Sequence, residues 1–257
     1  MPARRIVLIA ASVTLAVSTL AGCSGSDQPS KNDDNSTVRP GSDPAENANV
    51  AQRYFEAVVS NDADTQSDAL EFAAPDSSAA AYLTHLANSS TAYAGVGKER
   101  APDRLTEIPG GYKVCGAGGE CVEYSALILA DGKLNSFTVG GAAIDKVTVL
   151  GKRKPEPLGD LGTVEFLSRS SSGGTYAVNL RVTSGDSPIT LGNATALFEQ
   201  EGEPKIKAVE RVGPNRLAAN SDAYVTLLFL GSKAAPGSLE YSVRGAGDVE
   251  SATLRIR

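Results

Sequence analysis

The sequence predicts an α+β unit, helices then an antiparallel sheet, joined to an all-β sandwich and carried behind an export segment. Three observations predict it. Apolar residues between 44 and 94 recur at helical spacing, those between 111 and 150 alternate at strand spacing, and from residue 162 onward only strand-like alternation remains. The expected divisions are a signal peptide over 1–22, a polar tether over 23–43, an α+β domain over 44–150, a linker over 151–161 and a β-sandwich domain over 162–257.

At the N-terminus, Arg4 and Arg5 precede an apolar run from Ile6 to Leu20, 15 residues long. A basic head, a short apolar run and small residues make the layout of a secretory signal. The run is shorter than the roughly 20 residues a spanning helix needs. It ends at Leu20-Ala21-Gly22-Cys23, which resembles the lipobox of bacterial lipoproteins of actinobacterial type. The resemblance implies cleavage before Cys23 and a diacylglyceryl group, with chains such as palmitate, on its sulfur. Each buried methylene contributes about 0.8 kcal/mol, so two chains anchor stably where one is marginal. Residues 24–43 are rich in Ser, Asp, Asn, Gly and Pro and have too little apolar surface to fold. As a coil, their ends would sit about 25 Å apart. The expected place is the outer face of the bacterial cytoplasmic membrane, with the membrane as one partner.

The first helix is expected after Asp43 as N-cap, with Pro44 at the first helical position and Glu46 in the first turn. Its apolar stripe is Val50, Ala51, Tyr54, Phe55, Val58 and Val59. A short helix broken at Pro75 leads to another with Ala79, Tyr82, Leu83 and Leu86 facing inward, and His85 on its flank. Strands are expected over 111–115, 121–130, 133–139 and 145–150, with Asp131-Gly132 as a two-residue hairpin turn. Helices before an antiparallel sheet resemble the nuclear-transport-factor-like cone, the fold shared with ketosteroid isomerase.

The second half reads as seven strands, one of them over 205–211. Tyr176, Val178, Leu180 and Val182 alternate with Asn179, Arg181 and Thr183; Leu239, Tyr241 and Val243 alternate with Glu240 and Ser242. Residues 223–231 are apolar on both faces, as a central strand requires. The pattern resembles the immunoglobulin-like sandwich modules of bacterial lipoproteins. This half has no Cys and the chain no Trp, so the resemblance is one of architecture.

The chain has 24 Lys+Arg and 30 Asp+Glu. Residues 45–150 carry 7 basic and 14 acidic residues, against 13 and 12 over 151–257. Neither half makes the basic, aromatic groove of a nucleic-acid binder, so no nucleic acid is expected. With Cys23 acylated, Cys115 and Cys121 remain, flanking a glycine-rich turn, and an even remainder in an exported chain favours a disulfide. With His85 the chain's one histidine and no further thiol, no metal site is expected. Nor is any catalytic residue or cofactor. Lys152, Arg153 and Lys154 read as a solvated run in the linker. The expectation is a non-catalytic binding or scaffolding lipoprotein of the cell envelope, partnered by another envelope protein or a wall polymer. The alternative is a carrier of a small apolar ligand, or a ketosteroid-isomerase-like enzyme with a cavity in 44–150. For it, Tyr54, Tyr82, Tyr93, Tyr112 and Tyr124 are the available phenols.

Overall fold

The computed structural model describes residues 44–152, 154–172, 174–192, 196–231 and 236–256. Three helices come first: α1 (Pro44–Ser60), α2 (Ala63–Asp68), which continues as a short 3-10 turn, and α3 (Ser78–Ala94). The Asp62 carboxylate accepts the Thr65 amide to cap α2, and the Ser77 hydroxyl accepts the Ala80 amide to cap α3. No helix among the described residues is long and apolar enough to cross a membrane.

The first sheet has the order β1 (Arg104–Ile108), β2 (Gly111–Cys115), β3 (Cys121–Ala130), β4 (Lys133–Val139) and β5 (Ala142–Ala143), all antiparallel. β1 was not expected. The Asp131-Gly132 turn is as expected, with φ of 50° and 72° and Ala130 paired to Lys133. The sheet is uneven at one end. β2 pairs only with residues 121–125 of β3, then turns back at Pro109-Gly110, whereas the β3–β4 hairpin runs five residues further. The core beneath this sheet is aromatic: Tyr54 and Phe55 of α1, Tyr82 of α3, and Tyr112, Tyr124 and Phe137 of the strands. Phe55 lies 5.1 Å from the Tyr54 and Tyr124 ring centroids and 5.4 Å from that of Phe137, in edge-to-face or tilted geometry.

After the one-turn helix α4 (Ile144–Val147), β6 (Thr148–Leu150) leaves the first sheet. It was expected to close that sheet, but it pairs with β8 of the second. The second sheet contains β6, β7 (Glu156–Pro157), β8 (Gly162–Ser172) and β9 (Thr175–Ser184). It is completed by two strands from later in the chain. The third sheet holds β10 (Ile189–Thr190), β11 (Ala196–Gln200) and β12 (Ile206–Lys207). The chain then crosses between sheets: Ala208 N–H bonds to Ala196 of β11, and Val209 N–H to Leu228 in the second sheet. Thus the single strand expected over 205–211 is two, β12 and β13 (Glu210–Val212), in different sheets. β14 (Arg216–Leu217), β15 (Asp222–Leu230), β16 (Gly237–Arg244) and β17 (Val249–Ile256) complete the chain. β13 and β15 join the second sheet; β14, β16 and β17 join the third.

The second and third sheets face each other across one apolar core that includes Tyr176, Leu180, Phe198, Phe229, Leu239 and Ile256. The chain is therefore helices followed by antiparallel sheets, mostly β, with a β-sandwich in its second half. Residues 151–161, expected as a linker, run along β8. Gly151 N–H bonds to Leu167, a Cβ on Gly151 would fall on the Phe166 carbonyl oxygen, and Leu158 is fully buried in the sandwich core. The described residues fall in one compact unit.

Candidate functional site

Helix α3 decides where the chemistry-bearing side chains go, because it is enclosed on several sides. Tyr82 points to the first sheet, where its hydroxyl lies 2.8 Å from that of Tyr124. Ser90 donates to Gln66 of α2 at 2.9 Å. His85 and Ser89, one turn apart, meet the face of the second sheet that is turned away from the sandwich core. On that face, β8 supplies Ser168, β9 Asn179 and β15 Thr226, all buried.

These five side chains form a closed polar cluster. Thr226 donates its hydroxyl to Asn179 Oδ1 at 2.8 Å. Asn179 Nδ2 bonds to the His85 main-chain oxygen at 2.8 Å and lies 3.0 Å from Ser89 Oγ. The amide thus presents its donor side to the helix, and the Ser168 hydroxyl oxygen lies 2.9 Å from His85 Nδ1. The imidazole is 4% exposed. Burial lowers its pKa to about 4, because the imidazolium would lose its water and gain no anionic partner from this neutral cluster. At neutral pH it is uncharged. Ser168, His85 and Asn179 have the residue types of a nucleophile, a base and its orienter. Here each is committed to holding a helix on a sheet.

The tyrosines expected as candidates divide similarly. Tyr54 donates to the Ala79 main-chain oxygen at 2.8 Å, and burial raises its phenol pKa well above the ordinary value. Burial also raises Tyr82 and Tyr124, and the Asp103 carboxylate adds to the effect on both. All three are neutral phenols at pH 7. Tyr112 packs against Phe55 in tilted geometry, and Tyr93 lies at the surface end of α3 under Arg100.

Cys115 and Cys121 are directly opposed in the β2–β3 hairpin and form a disulfide. It closes a five-residue loop and contributes roughly 2 kcal/mol in the chain-entropy view. Cys23, with Asp43 and Arg153, lies outside the described residues. Among the described residues no group of three or more His, Cys, Asp or Glu side chains is placed to hold a metal ion.

At the uneven end of the first sheet, a groove of about 230 Å³ opens between α1, the β1–β2 turn and β3. Its lining is mostly apolar and includes Glu107. Sequence reading missed both the His85 cluster and this groove.

No family model matches the chain, and no curated protein matches it. Among solved structures it is similar to the yeast GGA1 GAE domain-P21, at 18% identity over 41% of this chain and 99% of that one, with a TM-score of 0.30. It is also similar to the GAE domain of GGA2p from Saccharomyces cerevisiae, at 15% identity over 40% and 94%, TM-score 0.29. A third is the archaellum periplasmic stator protein FlaG from Sulfolobus acidocaldarius, at 17% identity over 37% and 100%, TM-score 0.25.

Proposed function

We propose that the chain is a lipid-anchored, extracytoplasmic lipoprotein that acts as a non-catalytic binding or scaffolding module at the cell envelope. One observation carries the non-catalytic part: four chemistry-bearing side chains of α3, Tyr82, His85, Ser89 and Ser90, are spent on hydrogen bonds inside packed interfaces. What this body offers outward is a stable frame of strand ends, edges and loops, the parts by which such frames bind. The Leu20–Cys23 sequence supports the anchor, the polar stretch after it supports a stand-off tether, and the sandwich is of immunoglobulin-like kind.

The test is fractionation combined with crosslinking in intact cells. The native chain is expected in the membrane fraction with an acylated Cys23 at its N-terminus, and its exposed surface is expected to crosslink to an envelope protein or wall polymer. Cys23→Ala should release it. A Cys23→Ala chain that remains membrane-bound with residues 1–22 intact overturns the anchor.

The Tyr82–Tyr124 hydroxyl pair in the field of Asp103 favours a second reading, a cone-fold carrier or isomerase. Turnover of a β,γ-unsaturated ketone, lost in Tyr124→Phe, would establish it in place of the first.

A further inference from the structure

The uneven end of the first sheet leaves part of a central strand without a neighbour on one side among the described residues. Among the described residues, β2 covers β3 only as far as Ser125, so from Ala126 to Ala130 β3 is hydrogen-bonded to β4 alone. Its other edge borders the groove. A short row of unpaired main-chain N–H and C=O groups is a template for one more strand.

The side chains along this edge are arranged by a bulge. Ser125 faces Thr138 and Ile128 faces Ser136, so β3 advances three residues while β4 advances two. Ala126 absorbs the extra residue at φ 52°, in the left-handed region that an alanine seldom occupies. The shift exchanges the two faces of the strand beyond Ala126. Strict alternation from buried Tyr124 would put Ile128 on the core side and Leu127 and Leu129 outside. Instead Leu127 and Leu129 line the groove, and Ile128 stands 55% exposed on the opposite face. A strained residue that exposes a large apolar side chain beside an unpaired edge points to recognition.

We infer that Leu127–Ala130 is a strand-addition site for an extended segment of a partner protein. The segment pairs with the open edge of β3 in line with β2. Alternate side chains enter the groove against Ala48, Ala51 and Leu129 and cover Ile128 on the other face. Main-chain bonds supply affinity and the pockets supply selectivity. Charge complementarity sets the partner's chemistry. Glu107 is the one acidic residue among the described residues that line the groove, and residues 45–150 carry twice as many acidic as basic residues, so the segment is apolar with a basic residue. This deepens the binding role proposed above, yet its test is made in solution without the anchor, so failure of either leaves the other standing.

The experiment uses isotope-labelled protein spanning 23–257 with Cys23→Ser and two synthetic heptapeptides of valine and threonine, one with a single lysine and its twin with glutamate. The lysine peptide is expected to shift the amides of 108–112 and 127–130 and to slow hydrogen exchange along 127–130. The glutamate twin should bind more weakly by about fivefold, the scale of an exposed ion pair. Glu107→Lys should reverse that preference, and Ala126→Gly, which keeps the bulge, should leave it intact. Absence of binding, equal binding of the twins or shifts elsewhere overturns the proposal. Concentration-dependent protection of 127–130 in the free protein assigns the edge to a second copy, and protection lost on deleting 24–43 assigns it to the chain's own tether. Binding to anionic vesicles through the same residues assigns it to the membrane, and each of these outcomes also overturns the proposal.

Discussion

His85 shows how far a single residue's surroundings can be read from sequence. Its place on the flank of an apolar stripe was legible, but its burial was not. Asn179 alternates with Val178 and Leu180 as a solvent-facing residue would, and only a helix laid over that face makes it an interior one. A strand's polar face reads the same whether water or a polar helix covers it. The consequence can be measured. In the unfolded chain His85 titrates near 6.5, and in the folded chain near 4. Between these values the unfolded state binds the extra proton, so stability is fully present above about pH 6.5 and is lost as pH falls toward 4. This one group should remove about 3 kcal/mol between pH 7 and pH 4. Denaturant unfolding across that range should show the loss, and His85→Gln should remove most of its pH dependence while lowering stability at pH 7. An unchanged slope in the variant would mean that carboxylates elsewhere carry the acid sensitivity.

At the scale of elements, strands with one buried face announced themselves and the others did not. Tyr176 to Val182 and Leu239 to Val243 alternate because each inward residue enters the sandwich core. β1 gave no such sign, since Arg104, Thr106 and Glu107 are exposed and the strand lies at the sheet edge with little to bury. Residues 205–211 misled for another reason: Ile206, Ala208 and Val209 lie close enough to read as one strand, but the hydrogen bonds change sheets at Ala208 and Val209. The bulge in β3 was equally invisible, because an apolar run from Ala126 to Ala130 fits either register. Its backbone yields a prediction opposite to strand propensity. Valine is a better strand former than alanine, yet Ala126→Val places a branched side chain at φ 52°. The substitution should destabilise by about 1 kcal/mol or more, whereas Ala126→Gly should be neutral or mildly stabilising as relief of strain offsets its greater chain entropy. Denaturant midpoints of the two variants provide the comparison, and a more stable Ala126→Val would mean that the backbone does not hold this conformation.

For the whole molecule, composition and connectivity point in different directions. Residues 151–161 have the Pro, Gly and charge of a linker, but composition does not register that the segment also pairs with a neighbouring strand. β6 precedes it and β7 lies within it, and both bond to β8, while α3 closes over β8, β9 and β15 through the His85 cluster. A cut near residue 150 would separate β6 from β8, leave Ser168 and Asn179 without their helix partners, and open the edge of β8. Each buried polar group left unpaired costs about 1–3 kcal/mol, comparable with a sizeable share of a domain's total stability. Residues 44–257 are therefore expected to unfold in a single transition, with agreement between calorimetric and van't Hoff enthalpies. The fragment 158–257 should give a poorly dispersed amide spectrum on its own, and Asn179→Leu, which breaks the cluster while keeping the strand, should lower the midpoint of the single transition without splitting it. Two resolved transitions in the intact chain, or a well-dispersed spectrum from the isolated fragment, would show that α3 rests on the sandwich without being part of its folding unit.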